Sequence, residues 1–437
     1  MFYADIQSYS SIKGAPQSSS LIAILSQAVF QKNVDTAIFV IESIFRDEHV
    51  KFEHPSLLGV STYPRGQITQ GMWNAIIFSD ENFESAWAMI QSTSFVDFII
   101  TGSNIYYIGK NKTDYVDSQL TKLIATINEG LLWKDSAKKI AFEIGQTTPY
   151  HFFYDQFKYL RYLCTSKIVY TNSKPIFYDP KVFDIKLSYS KPDDTVTFFP
   201  AVVTQNSCNA LGYGGGDRTQ KVRVPSKLSN NEVTAARVRE CMESMELALL
   251  NDGKKGSTLS DPSKKLTLEL WIGITSAKRA WLEQLEGYTN ILENLAKTFN
   301  TVNVYVDGMT SAINSSNPTS KDIEIYNLLV SNLMSVENIK LISLIGFDYK
   351  SKIQKCLNID AFITNGGTSS FVPLRVLKKP GVIHTNSKLM TFPDTYTDVT
   401  LITGKDENST SNEDQAGTLS YSLNWQEILK ALKSHLK

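Results

Sequence analysis

The sequence predicts an α/β protein of two domains whose second half is a doubly wound parallel sheet, and three observations carry that prediction. Beyond residue 265, short apolar runs alternate with amphipathic stretches at the spacing of strand–helix–strand units, which requires parallel strands joined by right-handed crossovers. Asn251 to Lys265 ahead of them is polar, rich in Gly, Ser, Lys, Asp and Pro, and reads as a linker. The length of 437 residues exceeds one typical domain and suits about two or three.

Taken in order, the first hundred residues also alternate in the α/β manner. Ser19 to Asn33 carries Leu21, Leu25, Ala28 and Val29 on one face and predicts a helix, followed by an apolar, β-rich run from Thr36 to Ile44. Ala75 to Phe78 reads as a strand, Glu81 to Ile90 as a helix capped by Ser79 or Asp80, and Val96 to Ile100 as a strand with Asn104 to Gly109 beside it. Val116 to Trp133 is amphipathic at helical spacing, Lys167 to Tyr170 and Val196 to Val203 read as strands, and Glu232 to Leu250 predicts a long helix.

After the linker come a strand at Leu266 to Ile274 and a turn at Thr275 to Arg279. A helix face follows, marked by Trp281, Leu285, Tyr288, Leu292, Leu295 and Phe299. Val302 to Val306, Ile339 to Ile345 and Val399 to Thr403 read as further strands. Asp322 to Met334, Asp348 to Cys356 and Trp425 to Leu436 read as helices.

Composition narrows the class. Apolar residues make up 42% and charged residues 20%, the balance of a soluble globular protein able to build sizeable cores. Lys plus Arg and Asp plus Glu number 44 each, so no global charge favours nucleic acid as a partner. Cys164, Cys208, Cys241 and Cys356 are far apart with no CxxC pair, which argues against a zinc site or a disulfide framework and suits a reducing cytosol. The N-terminus lacks a basic start before an apolar core, and no run reaches the roughly eighteen apolar residues of a membrane span. The expectation is a cytoplasmic protein, at most peripheral at the inner face of a membrane.

The stretch Asp360 to His384 holds the strongest chemical signal. Ala361, Phe362 and Ile363 run into Thr364-Asn365-Gly366-Gly367-Thr368-Ser369-Ser370. Phe371, Leu374 and Leu377 then recur at helical spacing, and Gly381 to Ile383 restart a strand. Pro373 has no amide hydrogen and so belongs in a first helical turn, which leaves the loop amides free for an anion such as a diphosphate. The same pattern also serves as a plain strand-to-helix turn. Lys278 and Arg279, on a second loop at the same sheet edge, oppose the dipole of the helix they precede unless an anion sits nearby. Gly346, ending another strand, belongs to the same edge.

In the first half, Thr148 is a good cap and Pro149 a good first helical residue, which places His151 in the first turn and Asp155 one turn later on the same face. His151 is either a base held at a loop mouth or a ring packed among Tyr150, Phe152 and Phe153. Asn206 to Asp217, with Gly212 and Gly214 to Gly216, reads as a loop near a substrate; no apolar helix follows it. Asp193-Asp194 makes no persuasive metal motif.

The segments Thr-Ser-Ala-Lys-Arg-Ala-Trp-Leu-Glu-Gln-Leu-Glu-Gly, Ile-Ser-Leu-Ile-Gly, Asp-Ala-Phe-Ile-Thr-Asn-Gly-Gly-Thr-Ser-Ser and Lys-Pro-Gly-Val-Ile-His resemble the donor-binding half of GT-B glycosyltransferases, in particular bacterial capsule and lipopolysaccharide enzymes. Pro149 to Asp155 is similar to a histidine-aromatic-acid motif of their acceptor half. The resemblance is clear from Leu266 to His384 and thin over the first 140 residues. It implies two Rossmann-like domains facing a cleft: an acceptor domain over 1–250, a nucleotide-sugar domain over 266–420, and a C-terminal helix over 421–437 that crosses back to the first.

It also implies a nucleotide-sugar donor, a glycan, lipid-linked or protein acceptor, and no cofactor or metal. Lys278, Arg279, Gly346, Asn365, Gly366, Gly367, Thr368, Ser369 and Ser370 would hold the donor. His151 would be the base, with Asp155 orienting or replacing it. The chain departs from the pattern at Arg375, where many such enzymes place a ribose-binding glutamate. A sugar-nucleotide epimerase of the same plan and a non-catalytic nucleotide-binding subunit are the rival readings.

Overall fold

The structure is a computed structural model, and it describes residues 9–31, 51–70, 73–91, 96–108, 117–130, 139–143, 168–171, 175–190, 195–198, 231–255, 266–276, 279–313, 320–387, 398–407 and 419–436, with short pieces within 33–44, 149–153 and at 315. The chain divides into two units. The first comprises Met1–Lys174, Phe183–Gly216 and Val222–Met242; the second comprises Pro175–Val182, Asp217–Lys221 and Glu243–Lys437.

The first unit holds strands β1 (Ser10–Lys13), β2 (Phe52–Glu53), β3 (Ser61–Gln70), β4 (Trp73–Ser79), β5 (Trp87–Gln91), β6 (Phe98–Ile100) and β7 (Asn104–Tyr107), in the order β1-β7-β6-β5-β4-β3-β2. Only β1 and β7 run parallel; the rest form an antiparallel meander. One face packs on helix α2 (Asp117–Gly130), where Ala75, Ile77, Ile90, Phe98 and Ile100 meet Leu120, Leu123 and Ile124. Helix α1 (Leu21–Gln31) precedes the meander in sequence.

This corrects the alternating α/β expectation for the first hundred residues. The residues read as a helix from Glu81 instead make a turn and then β5, because the Asp80 carboxylate accepts the amides of Glu84 at 2.8 Å and Ser85 at 3.2 Å. All five residues of β5 are buried, as in a strand covered on both faces. Conversely, the described residues between Thr36 and Ile44 are helical. Asn33 Oδ1 caps the Thr36 amide at 3.2 Å, and Ala37, Val40 and Ile44 are buried at helical spacing.

Four further strands, β8 (Lys139–Glu143), β9 (Ile168–Tyr170), β10 (Lys186–Ser188) and β11 (Thr195–Phe198), form a separate parallel sheet in the order β10-β9-β8-β11. Helix α3 (Asn231–Lys254) runs four residues past its predicted end at Leu250, into the stretch read as a linker. Its last turn is held by tertiary contacts: Asp252 accepts from Tyr178 Oη at 3.1 Å and pairs with Lys350 at 2.9 Å. Gly253 lies so close to Ile353 that a Cβ would come within 2.3 Å of it.

The second unit is the doubly wound sheet that the sequence predicts. Strands β12 (Thr267–Gly273), β13 (Thr301–Asp307), β14 (Ile339–Ser343), β15 (Ala361–Asn365), β16 (Gly381–Thr385) and β17 (Val399–Thr403) are all parallel, in the order β14-β13-β12-β15-β16-β17. This is the 3-2-1-4-5-6 order of dinucleotide-binding folds, and its switch point lies between β12 and β15. Helices α4 (Gln284–Ala296), α5 (Ser320–Leu333) and α6 (Tyr349–Lys355) connect the strands. A short ladder of β18 (Lys405–Asp406) and β19 (Tyr421–Ser422) follows, and then α7 (Trp425–His435).

Helix α4 begins three residues later than the apolar spacing suggests, since Trp281 is drawn into a bridge with Tyr421. Its ring lies over α4 at Gly287, where a Cβ would come within 2.0 Å. The expectation that the C-terminal helix crosses back to the first domain is overturned. Ile428, Leu429 and Leu432 of α7 are buried in the core of the second unit with Leu292, Val382 and Tyr421, so its apolar stripe is satisfied there. Among the described residues, no helix is long and apolar enough to cross a membrane.

Candidate functional site

In open parallel sheets a ligand lies beyond the carboxyl ends of the strands, at the switch point. Here that place is where β12 ends at Gly273 and β15 at Asn365. The two strand ends close tightly: a Cβ on Gly273 would come within 2.5 Å of Thr364 Oγ1. Thr364 Oγ1 donates to Ser369 Oγ at 2.6 Å, and Ser369 Oγ in turn donates to the Asn365 side-chain oxygen. Ser370 Oγ donates to the Gly367 carbonyl at 2.7 Å, closing the loop on itself.

The Gly366 amide donates to the His384 carbonyl at 2.7 Å, so it is not available to a ligand. The amides of Gly367, Thr368 and Ser369 open the single 3₁₀ turn Thr368–Ser370 and have no partner among the described residues. Unpaired amides at such a turn form an anion-binding concavity. Gly367 has φ +146°, a backbone state open to glycine and strained for any side chain.

Arg279 completes the concavity. A Cβ on Gly367 would lie 3.2 Å from Arg279 Nη2, so the guanidinium rests against the glycine loop. Arg279 itself has φ +59°, uncommon for a non-glycine residue. Its Nε is buried without a hydrogen-bond partner, and no described carboxylate pairs with it. Burial lowers its pKa, while Tyr421 nearby acts to raise it. A half-buried cation that meets no counter-charge among the described residues, beside three amides unpaired there, forms a site for an anion.

Behind the concavity lies a buried aromatic network that sequence reasoning missed. His384, at the end of β16, is 1% exposed, and burial lowers its pKa to about 3. Its Nδ1 lies 2.7 Å from Tyr421 Oη and its Nε2 lies 3.4 Å from Tyr288 Oη. Tyr288 Oη donates to the Gly273 carbonyl at 2.7 Å. Every polar group is satisfied if Tyr421 donates to Nδ1 and Nε2–H donates to Tyr288, and on that ground the Nε2–H tautomer is assigned. Trp281 packs edge-on against both Tyr288 and His384, with ring centroids 5.3 Å apart in each pair. The pattern Gly-Val-Ile-His signals only a strand; the partners of His384 come from residues 96 and 37 positions away.

The sequence-predicted residues thus separate. Arg279, Asn365, Gly366, Gly367, Thr368, Ser369 and Ser370 come together at the switch point. Of these, Gly366 supplies no free amide, and Asn365 and Ser370 shape the loop from within. Gly346 does not join them. It ends the segment after β14, which stands three places from β15 in the sheet order. Its φ of +79° and its amide, bonded to the Met309 carbonyl at 2.8 Å, serve a turn. Lys278, His151 and Asp155, with the Gly212 to Gly216 loop and Asp193-Asp194, lie outside the described residues.

The helix predicted after the glycine loop is instead the 3₁₀ turn followed by a π-helical turn, Phe371–Val376, in which the Leu377 amide reaches back five residues to the Val372 carbonyl at 2.9 Å. Such wide turns concentrate at functional sites. Arg375, only 3% exposed, stands within it.

At the end of β13, Asp307 and Lys352 form a buried ion pair at 2.5 Å, and Lys352 also donates to Thr310 Oγ1 at 2.7 Å. Asp322 accepts from Ser276 Oγ at 2.5 Å and from the Met309 amide at 2.9 Å, tying the loop after β12 to the loop after β13. These acids are committed to the scaffold. No group of metal-ligating side chains is present among the described residues.

No family model and no curated protein matches the chain. Among solved structures it is similar to HepE from Anabaena, solved with UDP and glucose, at 10% identity and a TM-score of 0.29, over 60% of this chain and 85% of that one. It is also similar to a variant of TarM from S. aureus, solved with fondaparinux, alpha-GlcNAc-glycerol and UDP, at 12% identity and a TM-score of 0.22, over 94% of this chain and 79% of that one. Likeness at these scores is too low to transfer any residue's role, and the geometry above stands without it.

Proposed function

We propose that the chain is a glycosyltransferase that takes a sugar from a nucleotide-sugar donor and passes it to a glycan, lipid-linked or protein acceptor of the cell surface. One observation carries the reading: at the switch point of a doubly wound sheet, Arg279 rests against Gly367 beside the amides of Gly367, Thr368 and Ser369, and among the described residues neither the guanidinium nor these amides has a partner. A diphosphate supplies the charge and the acceptor oxygens that this arrangement lacks. Hydrogen bonds to a charged group contribute about 1.5–3 kcal/mol each, enough to offset the cost of half-burying the guanidinium.

In the reaction, the bond from the anomeric carbon to the diphosphate oxygen breaks, and its electron pair stays with the nucleoside diphosphate. The Arg279 guanidinium and the loop amides stabilise that developing charge, with Lys278 as a second cation from the same loop. The acceptor oxygen forms the new bond to the anomeric carbon. Its proton passes to a base, for which His151 is the candidate and Asp155 the orienting acid. Fixed cations of this kind do the leaving-group work that a metal does elsewhere, and the reading includes no metal.

The test is incubation with a panel of nucleotide sugars, with and without candidate acceptors, read by mass spectrometry. Product glycan and free nucleoside diphosphate support the reading. Conversion of the donor alone to a stereoisomer makes the chain an epimerase. Binding without turnover of any donor makes it a nucleotide-binding subunit.

A further inference from the structure

The two halves of the anion site come from segments nearly ninety positions apart, Arg279 after β12 and the glycine loop after β15. One residue from the C-terminal segment touches the supports of both. The Tyr421 amide donates to the Ala280 carbonyl at 3.0 Å, and the Leu282 amide donates to the Tyr421 carbonyl at 3.0 Å, bracketing the chain immediately after Arg279. The bracket is reinforced next door: Trp281 Nε1 donates to the Leu423 carbonyl at 2.9 Å, and Glu283 accepts the Leu423 amide at 3.2 Å. A backbone held at φ +59° persists only where its surroundings over-determine it, and this bracket does so.

The Tyr421 hydroxyl lies 2.7 Å from His384 Nδ1 and 3.2 Å from the His384 carbonyl, the same carbonyl that receives the Gly366 amide of the glycine loop. Tyr421 is itself fully buried, and its ring packs on Gly404, where a Cβ would come within 2.6 Å of it. The Arg279 and Tyr421 side chains also interact electrostatically.

From this geometry we infer that Tyr421 is a positioning residue for diphosphate binding: its backbone sets the Arg279 loop, its hydroxyl sets the glycine loop through His384, and the C-terminal segment is therefore part of the donor site. The inference rests on the diphosphate reading of the site above. Removing the hydroxyl leaves the bracket in place but frees the glycine loop to shift relative to Arg279. Concavities of this kind lose much of their affinity when donors move by about 1 Å.

The experiment compares Tyr421→Phe with Leu429→Ala, a truncation in the same core by a residue of α7, which belongs to neither loop. Binding of UDP and of inorganic pyrophosphate to the full chain is measured by calorimetry, each protein held well below its own Tm. Tyr421→Phe should weaken both ligands about tenfold, while Leu429→Ala should leave affinity within about twofold. Gly404→Ala, whose Cβ would press on the Tyr421 ring and on the Ser422 carbonyl beside it, should act in the same direction and serves as the second variant if Tyr421→Phe does not fold. Unchanged affinity in Tyr421→Phe, or equal losses in Tyr421→Phe and Leu429→Ala, overturns the positioning role and leaves the diphosphate reading intact. Failure of the unaltered chain to bind either ligand overturns both.

Discussion

Arg279 Nη2 lies 3.2 Å from the point where a side chain on Gly367 would begin, so the guanidinium occupies space that any other residue at 367 would claim. Gly367→Ala therefore does two things. It places a Cβ on a backbone at φ +146°, a strain of about 1–3 kcal/mol, and it pushes the guanidinium off the loop. The expected outcome is a folded protein, less stable by roughly that amount in urea, whose affinity for UDP falls at least about tenfold by calorimetry.

Arg279→Ala separates binding from stability. The side chain is half-buried, its Nε has no partner among the described residues, and burial lowers its pKa, so in the ligand-free protein it is a cost rather than a support. Alanine at this position should leave the Tm of the free protein unchanged or raise it. The increase in Tm on adding nucleoside diphosphate, about 2.7 kcal/mol of stabilisation at a hundredfold excess over Kd, should disappear. Thermal-shift curves with and without UDP, GDP, CMP and ADP read both effects.

The second unit was legible because its six parallel strands are short, apolar-rich runs, three of them ending at Gly273, Asp307 and Asn365, and period-3.6 patterns separate most of them. The meander was not. Strand β5 is apolar on both faces and so shows no alternation, and the Asp80 turn before it looks like a helix cap in sequence. The glycine loop and Arg279 stood out because loose amides and an opposed dipole are local features. The His384–Tyr421–Tyr288 network did not, because its members lie on β16, β19 and α4 and meet only through the fold. Gly346 shows the converse: a glycine after a strand marks a turn, here with its amide on the Met309 carbonyl, whether or not a ligand is near.

Two buried histidines make stability fall with acid. His384 has its pKa lowered to about 3 and His54 to about 4, both by burial. His54 Nδ1 also accepts the amides of Ser56 at 3.1 Å and Leu57 at 3.0 Å, bonds that a protonated ring cannot make. The unfolded chain takes up protons near pH 6.5, whereas the folded chain does not until each lowered pKa is reached. Stability is therefore complete above about pH 6.5 and lost as pH falls toward 4, by up to about 1.4 kcal/mol per pH unit for each histidine. Urea unfolding across pH 7.5 to 4.5 should show this slope, and His384→Asn should reduce it by about one proton.

The Asp307–Lys352 pair gives the opposite pH signature when broken. Lys352 neutralises a carboxylate that burial pushes up in pKa, so Lys352→Met leaves Asp307 buried without its counter-charge. Breaking a buried pair in this way costs about 3–5 kcal/mol. An acid whose folded pKa lies above its unfolded value is best tolerated in its protonated form. Its stability is fully present below the unfolded pKa, near 3.9, and is lost as pH rises through the folded one. The stability gap between Lys352→Met and the unaltered protein should therefore be widest at pH 8 and narrow toward pH 5. Asp307→Asn combined with Lys352→Met should recover most of the loss at pH 8, since the charge is gone and the amide retains a hydrogen-bonding role. Urea midpoints of the three proteins at pH 5 and pH 8 test the pair, and a gap that stays constant with pH would mean that the loss comes from the missing lysine's packing instead of the stranded carboxylate.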